Sequence, residues 1–208
     1  MSQDSLKKLF LYWAEIMTDK REYLIDLDGV AGDGDLGIVM CDGFTAVSDA
    51  VGKSDETDLG IIFYTAGKTL SKAAPSSMGT LIALGFMNAG KKMKGKTEFN
   101  NECIAEFLEG LAEGVMAAGK AQEGEKTFLD AVFPAARAAR ENVSAETSKL
   151  TEEAAKAAEK GFYDTVGMVA KHGRIAFRAE NSVGIEDPGA AVAMLLVQGI
   201  DKVYGKEK

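Results

Sequence analysis

Apolar side chains recur every three or four residues from Leu6 to Tyr204, and no segment shows the alternation of a half-buried strand. β-Branched runs are scarce. This pattern restricts the chain to helices that each hide one stripe. Eight windows carry it: residues 3–20, 38–51, 57–72, 78–93, 99–119, 128–142, 145–171 and 190–204. The first holds Leu6, Phe10, Trp13, Ile16 and Met17 at helical spacing. Pro75 cannot continue a hydrogen-bonded ladder, and Ser76 or Ser77 can cap the helix after it. Gly173 marks the end of the long Ala/Glu/Lys helix. Asp187 and Pro188 read as the N-cap and first position of the last helix, which is almost wholly apolar from Ala190 to Val197 and so belongs at the centre. Short connectors make neighbours antiparallel. The expected class is all-α, with about eight amphipathic helices in one domain over residues 1–208.

An apolar fraction of 46% suffices for a core. The net charge of −8 argues against nucleic acid as partner, because phosphate backbones need a cationic footprint. No apolar run has the length of a bilayer span, and the N-terminus lacks the apolar run of a signal peptide, so a cytoplasmic location with no membrane partner is expected. Cys41 and Cys103 are too few for a disulfide framework or a zinc site. The sole histidine, His172, excludes histidine-rich metal sites and reads as a helix-end residue.

Asp26, Asp28, Asp33 and Asp35 fall close together among glycines, and no Lys or Arg occurs between Arg21 and Lys53. A turn gathering these carboxylates suffers like-charge repulsion unless one takes up a proton or a cation intervenes. Mg²⁺ fits, since it takes oxygen ligands and is held by a few carboxylates plus waters and phosphates. The stretch from Asp26 to Gly37 therefore reads as a magnesium–phosphate turn. A solvated acidic loop is the plainer alternative. Gly32, Gly34 and Gly37 match a dinucleotide fingerprint, and residues 24–30 resemble the first motif of haloacid-dehalogenase phosphatases, with Asp26 as nucleophile and Asp28 as acid/base. An EF-hand fails at Val30. The next helix begins where the turn ends, so its first N–H groups point back toward it and attract phosphate. Dinucleotide and dehalogenase folds both need strand–helix alternation, which places the phosphatase second.

Four stretches then stand in order: Asp28 with Asp33, Asp35 and Gly37; Gly124 to Thr127; Gly173 with Arg174; and Asp187 to Ala190. Together the set resembles the L subunit of dihydroxyacetone kinase, across essentially the whole chain. The resemblance implies a barrel of eight antiparallel helices with a nucleotide, ADP or ATP, at one rim. It implies that Asp28, Asp33 and Asp35 hold two Mg²⁺ ions, and that Leu36, Gly37, Ile38 and Val39 open the helix that meets the phosphates. Gly119, Thr127 and Phe128 would border the nucleoside. Ser76 and Ser77 would lie on a phosphate- or ribose-contacting loop, with Arg174, Asp187, Pro188 and Gly189 as the remaining contacts. No catalytic residue is assigned beyond a supporting Arg174, because transfer is metal-assisted.

The chain departs from the family pattern at Leu36, where a His is usual, in a short loop at 73–80 carrying Pro75, and at Glu125, where an Asp is usual. The resemblance further implies a sugar kinase divided among subunits. A phosphohistidine M subunit of a phosphotransferase system would recharge the nucleotide, and a K subunit would hold dihydroxyacetone or a related short sugar. The alternatives kept beside it are the phosphatase and a non-catalytic, nucleotide-sensing helical adaptor.

Overall fold

The computed structural model describes residues 3–205. Among the described residues nine α-helices run in order: α1 (Gln3–Asp19), α2 (Arg21–Ala31), α3 (Leu36–Gly52), α4 (Leu59–Ala73), α5 (Ser77–Lys92), α6 (Asn101–Gly119), α7 (Leu129–Glu141), α8 (Thr147–Asp164) and α9 (Pro188–Tyr204). Two 3-10 segments, Thr165–Gly167 and Arg174–Ser182, fill the passage between α8 and α9. Among the described residues there is no strand.

Eight helices close a ring in the order α1, α3, α4, α5, α6, α7, α8, α9 and back to α1. The odd one is α2, which packs outside against α3 and touches α9. The expected count of eight thus corresponds to the ring, and the extra helix lies on the acidic stretch.

Neighbours alternate in direction. Position 85 of α5 faces 114 of α6 while 89 faces 110: a Cβ on Gly114 would come 2.7 Å from Gly85 Cα, and one on Gly110 2.6 Å from Ala89 Cα. The alternation gathers the N-termini of α3, α5, α7 and α9 at one rim, with the C-termini of α1, α4, α6 and α8 beside them. Each of these N-termini offers free N–H groups to an anion locally, while the C-termini beside them offset the dipole of the rim as a whole.

Aromatic rings fill the middle of the barrel. Trp13 is fully buried and stacks on Phe107 at 5.7 Å between ring centres. It meets Phe10, Phe44 and Phe86 edge-on, as aromatic quadrupoles prefer. Its indole N–H donates to the Leu196 carbonyl at 2.8 Å, pinning α1 to its ring neighbour α9. Every residue from Gly189 to Val197 is buried, as the unbroken apolar run of α9 requires. Cys103 is buried and Cys41 half-buried, both as free thiols. No helix among the described residues is long and apolar enough to cross a membrane.

Trp13→Ala removes the ring at the centre of this cluster and leaves the Leu196 carbonyl without its donor. The expected loss is about 3–5 kcal/mol of unfolding free energy, read as a lower urea midpoint with an unchanged slope.

Candidate functional site

The acidic stretch is not one long turn. Residues 21–31 are helical, so Asp26 and Asp28 lie on α2 and only Asp33 and Asp35 stand on the turn. Leu24 is fully buried and Leu27 packs on the core, which gives α2 a short apolar stripe among its polar residues. Gly32 closes the helix, its N–H returning to the Asp28 carbonyl at 2.5 Å. A dehalogenase site would need a strand over 23–27; those residues are helical, and that alternative falls.

Asp28 reaches across the turn. Its Oδ2 accepts from the amides of Gly34 (2.9 Å), Asp35 (3.1 Å) and Leu36 (3.4 Å). It therefore caps the start of α3 from a neighbouring helix, while Asp35, in the N-cap position, makes no capping bond of its own. Gly34 takes φ +75°, a conformation that costs a side-chain-bearing residue. Gly37 packs α3 onto α2 so closely that a Cβ would lie 2.0 Å from the Arg21 carbonyl oxygen.

The result is a cluster. One carboxylate oxygen each from Asp28, Asp33 and Asp35 lies within 4.8 Å of the others. Asp26 is exposed on α2 and lies outside it. Burial lifts the Asp35 carboxyl above the ordinary range, the charges of Asp33 and Asp28 lift it further, and Arg174 opposes them. Arg174 arrives from 141 residues away, and its Nη2 donates to Asp33 Oδ2 at 2.5 Å. Hard oxygen donors at this spacing fit Mg²⁺. Leu36 and Gly37 are buried at the first turn of α3, with Val39 half-buried and Ile38 exposed.

The other expected contacts come together along the rim. Ser76 caps α5, its Oγ accepting from Gly79 N at 3.0 Å, and Ser77 is exposed beside it. A Cβ on Gly189 would come 2.8 Å from Met78 Cε and 3.1 Å from the Phe128 nitrogen. The starts of α5, α7 and α9 therefore meet. Gly119 ends α6 against Leu81, one turn into α5. The Tyr23 hydroxyl on α2 donates to Glu186 at 3.1 Å, joining the acidic cluster to the turn before α9. Burial, then Glu186, pushes that phenol well above its ordinary value.

Asp187 and Pro188 open α9 as the residue types foretell, with Asp187 Oδ2 accepting from Ala190 N at 2.7 Å. Burial raises the Asp187 carboxyl to about 7; Asp130 adds to the rise, and Ala190 N–H and Lys126 oppose it. Thr127 and Asp130 form a capping box at the start of α7, with Asp in place of Glu. Asp130 accepts from Thr127 N at 2.6 Å, and Leu129 N donates to Thr127 Oγ1 at 3.2 Å.

The long helix expected over 145–171 stops at Asp164. Thr165 turns its hydroxyl back to the Phe162 carbonyl at 2.6 Å, and a 3-10 turn replaces the helix. Gly173, at φ +74°, opens the segment Arg174–Ser182, which is kinked at Arg178. His172 is not at a helix end. Its Nε2 bonds the Glu125 carboxylate at 2.7 Å, and Lys171 Nζ approaches the same group at 3.3 Å.

Lys126 escaped the sequence reading. Its side chain is buried, and Nζ donates to the carbonyls of Thr165 (2.7 Å), Ser182 (2.8 Å) and Ile185 (2.5 Å). Burial pulls this ammonium below its ordinary value, with Asp187 and Asp130 opposing. Nothing in the local sequence separates it from a surface lysine; its place in the matched stretch Gly124 to Thr127 is the one signal available.

The family model described as DAK2 domain matches residues 30–202. The chain is 30% identical over 186 residues to the PEP-dependent dihydroxyacetone kinase, ADP-binding subunit DhaL, of Escherichia coli, covering 88% of this chain and 89% of that one. It is 28% identical over 188 residues to the PEP-dependent dihydroxyacetone kinase 2, ADP-binding subunit DhaL, of Listeria innocua, covering 89% and 87%. In fold it resembles the dihydroxyacetone kinase from C. freundii, whose structure is known in complex with AMP-PNP and Mg²⁺, with a TM-score of 0.74 at 21% identity over 94% of this chain. The chain spans about a third of that kinase's length.

The His172 hydrogen bond, then the Gln122 amide, holds the Glu125 carboxyl down to about 2, against an ordinary 4.5. A depressed carboxylate stabilises above its unfolded pKa and loses that contribution as pH falls through the folded one. The advantage of the wild type over Glu125→Gln, read from urea midpoints, is therefore full above pH 4.5 and shrinks from there toward pH 2.

Proposed function

Because the chain belongs to the DAK2 domain family, we propose that it is the ADP-binding subunit of a phosphoenolpyruvate-dependent dihydroxyacetone kinase. It relays a phosphoryl group through bound nucleotide to a short sugar on another chain. One observation carries the proposal: Asp28, Asp33 and Asp35 converge within 4.8 Å at the rim where four helix N-termini gather. Alignment with separate ADP-binding subunits over 88–89% of this chain supports the multi-subunit arrangement.

Asp28, Asp33 and Asp35 would hold two Mg²⁺ ions. When bound, Mg²⁺ and ADP supply neutralised phosphate charge and an acceptor for the phosphoryl group. The chain's own residues provide position. Asp28 fixes the turn by taking three amides on Oδ2. The first turn of α3, Leu36 to Val39, meets the phosphates with the N–H groups of Gly37 and Ile38, since Leu36 N donates to Asp28 Oδ2 and Val39 N to the Asp35 carbonyl. Arg174 holds Asp33 in place and offers the rest of its fork to phosphate oxygens. Phe128, Gly119, Thr127 and the Asp187–Pro188–Gly189 turn border the nucleoside, with Ser76 and Ser77 across from them. Phosphoryl groups enter from a phosphohistidine on an M subunit and leave to dihydroxyacetone on a K subunit, in the cytoplasm. His172, already engaged by Glu125, is not the carrier.

Purified protein is expected to retain ADP and to release it on magnesium chelation. Asp33→Asn and Asp35→Asn abolish retention while the helical circular dichroism spectrum stays. A preparation with no nucleotide by mass spectrometry and no Mg²⁺-dependent thermal shift with ADP refutes the proposal. Binding without transfer to any K partner supports the adaptor reading instead.

A further inference from the structure

Arg174 reaches Asp33 from the middle of the excursion over residues 165–187, between α8 and α9, which contains no α-helix. Such a segment needs something other than periodic burial to set its course. Its two ends are held at one point. The carbonyl of Thr165, where it leaves α8, and those of Ser182 and Ile185, where it returns, all accept from the Lys126 ammonium. An ammonium has three protons and here finds three carbonyl partners, so the group is fully satisfied. Lys126 itself stands at φ +61°, a left-handed conformation that a non-glycine residue adopts at a cost. The surrounding loop holds it there: Asp130 takes the amides of both Gly124 and Thr127. Further bonds close the base. Gly184 N donates to the Val166 carbonyl at 2.8 Å, and Asp187 N donates to Thr165 Oγ1 at 3.1 Å.

We propose that Lys126 is a positioning residue for the phosphoryl-transfer site: by clamping the Thr165, Ser182 and Ile185 carbonyls it sets Arg174 against the magnesium-binding carboxylates. The inference rests on the nucleotide-binding function proposed above. Lys126 touches neither Arg174 nor the carboxylates in the hydrogen bonds of this structure; it acts through the backbone between them. Removing the ammonium leaves three carbonyls without their shared donor, a cost borne where the excursion begins and ends. The ring does not depend on it, since the aromatic cluster lies among α1, α3, α4, α5 and α6.

The test is a double-mutant cycle on Mg²⁺·ADP affinity, using Lys126→Met, Arg174→Ala and the pair. Lys126→Met is expected to weaken binding about 10- to 100-fold, the scale of partners that orient a metal's ligands. In the Arg174→Ala background the same change is expected to add little. Equal losses in both backgrounds, or no loss from Lys126→Met, overturn the proposal. Wild type that fails to bind Mg²⁺·ADP overturns the proposed function instead, and the clamp is then judged by a second measurement. Hydrogen exchange of nucleotide-free protein is expected to be faster over residues 166–186 in Lys126→Met, with α5 and α6 unchanged. Should that variant not fold, Lys126→Arg, whose planar fork cannot meet three converging carbonyls, is read the same way. Wild-type protection over 166–186 overturns the clamp.

Discussion

Three carboxylates held within 4.8 Å of one another repel, and much of the rim is arranged around that repulsion. Asp28 spends one oxygen on three backbone amides. Asp33 is paired with Arg174. Asp35 has neither arrangement, and its carboxyl is pushed upward by burial first and then by its two neighbours. A turn this costly persists because both of its flanks are fixed elsewhere. Leu24 anchors α2 in the core, and Gly37 lets α3 lie directly on the Arg21 carbonyl. The strain at the site is thus supported by packing beneath it.

The parts of the fold legible in the sequence are those that local pattern determines. The helices α1, α3 to α7 and α9 carry long apolar stripes, and periodicity locates them because each stripe faces one core. Helix α2 is short, and its apolar residues are interrupted by Asp26, Asp28 and Gly29, so its turn chemistry outweighs its periodicity. The end of α8 is hidden for a related reason. Apolar residues continue past Asp164 at Val166, Met168, Val169 and Ala170, but Thr165 is fully buried and its carbonyl accepts from Lys126 and from Met168 N of a 3-10 turn, so no further α-helical turn follows. A contact from 39 residues away ends the helix.

The site divides along the same line. Like charges crowded in one stretch suggest a cation from sequence alone, but they mark Asp26 as much as its neighbours, and only the ordered set of motifs narrows the group to Asp28, Asp33 and Asp35. Arg174 carries no such mark, because a lone Arg after Gly173 has an ordinary surface explanation; only the same set of motifs points to it. The bonds from Glu125 to His172 and from Tyr23 to Glu186 leave no local trace at all. They join loops that share a rim only because alternate helices place their N-termini there.

The departure at Leu36 shows what such a rim tolerates. Leu36 is 4% exposed and belongs to the hydrophobic core, so its side chain points away from any ligand at the turn. Its amide faces the turn, where it already meets Asp28 Oδ2. A site that grips phosphate through carboxylate-held metal and helix N–H groups depends on backbone direction at this position more than on side chain. Leu36 contributes core packing that fixes the helix start. The turn itself is made by Asp28, Gly34 and the backbone, so it does not depend on a polar side chain at this position.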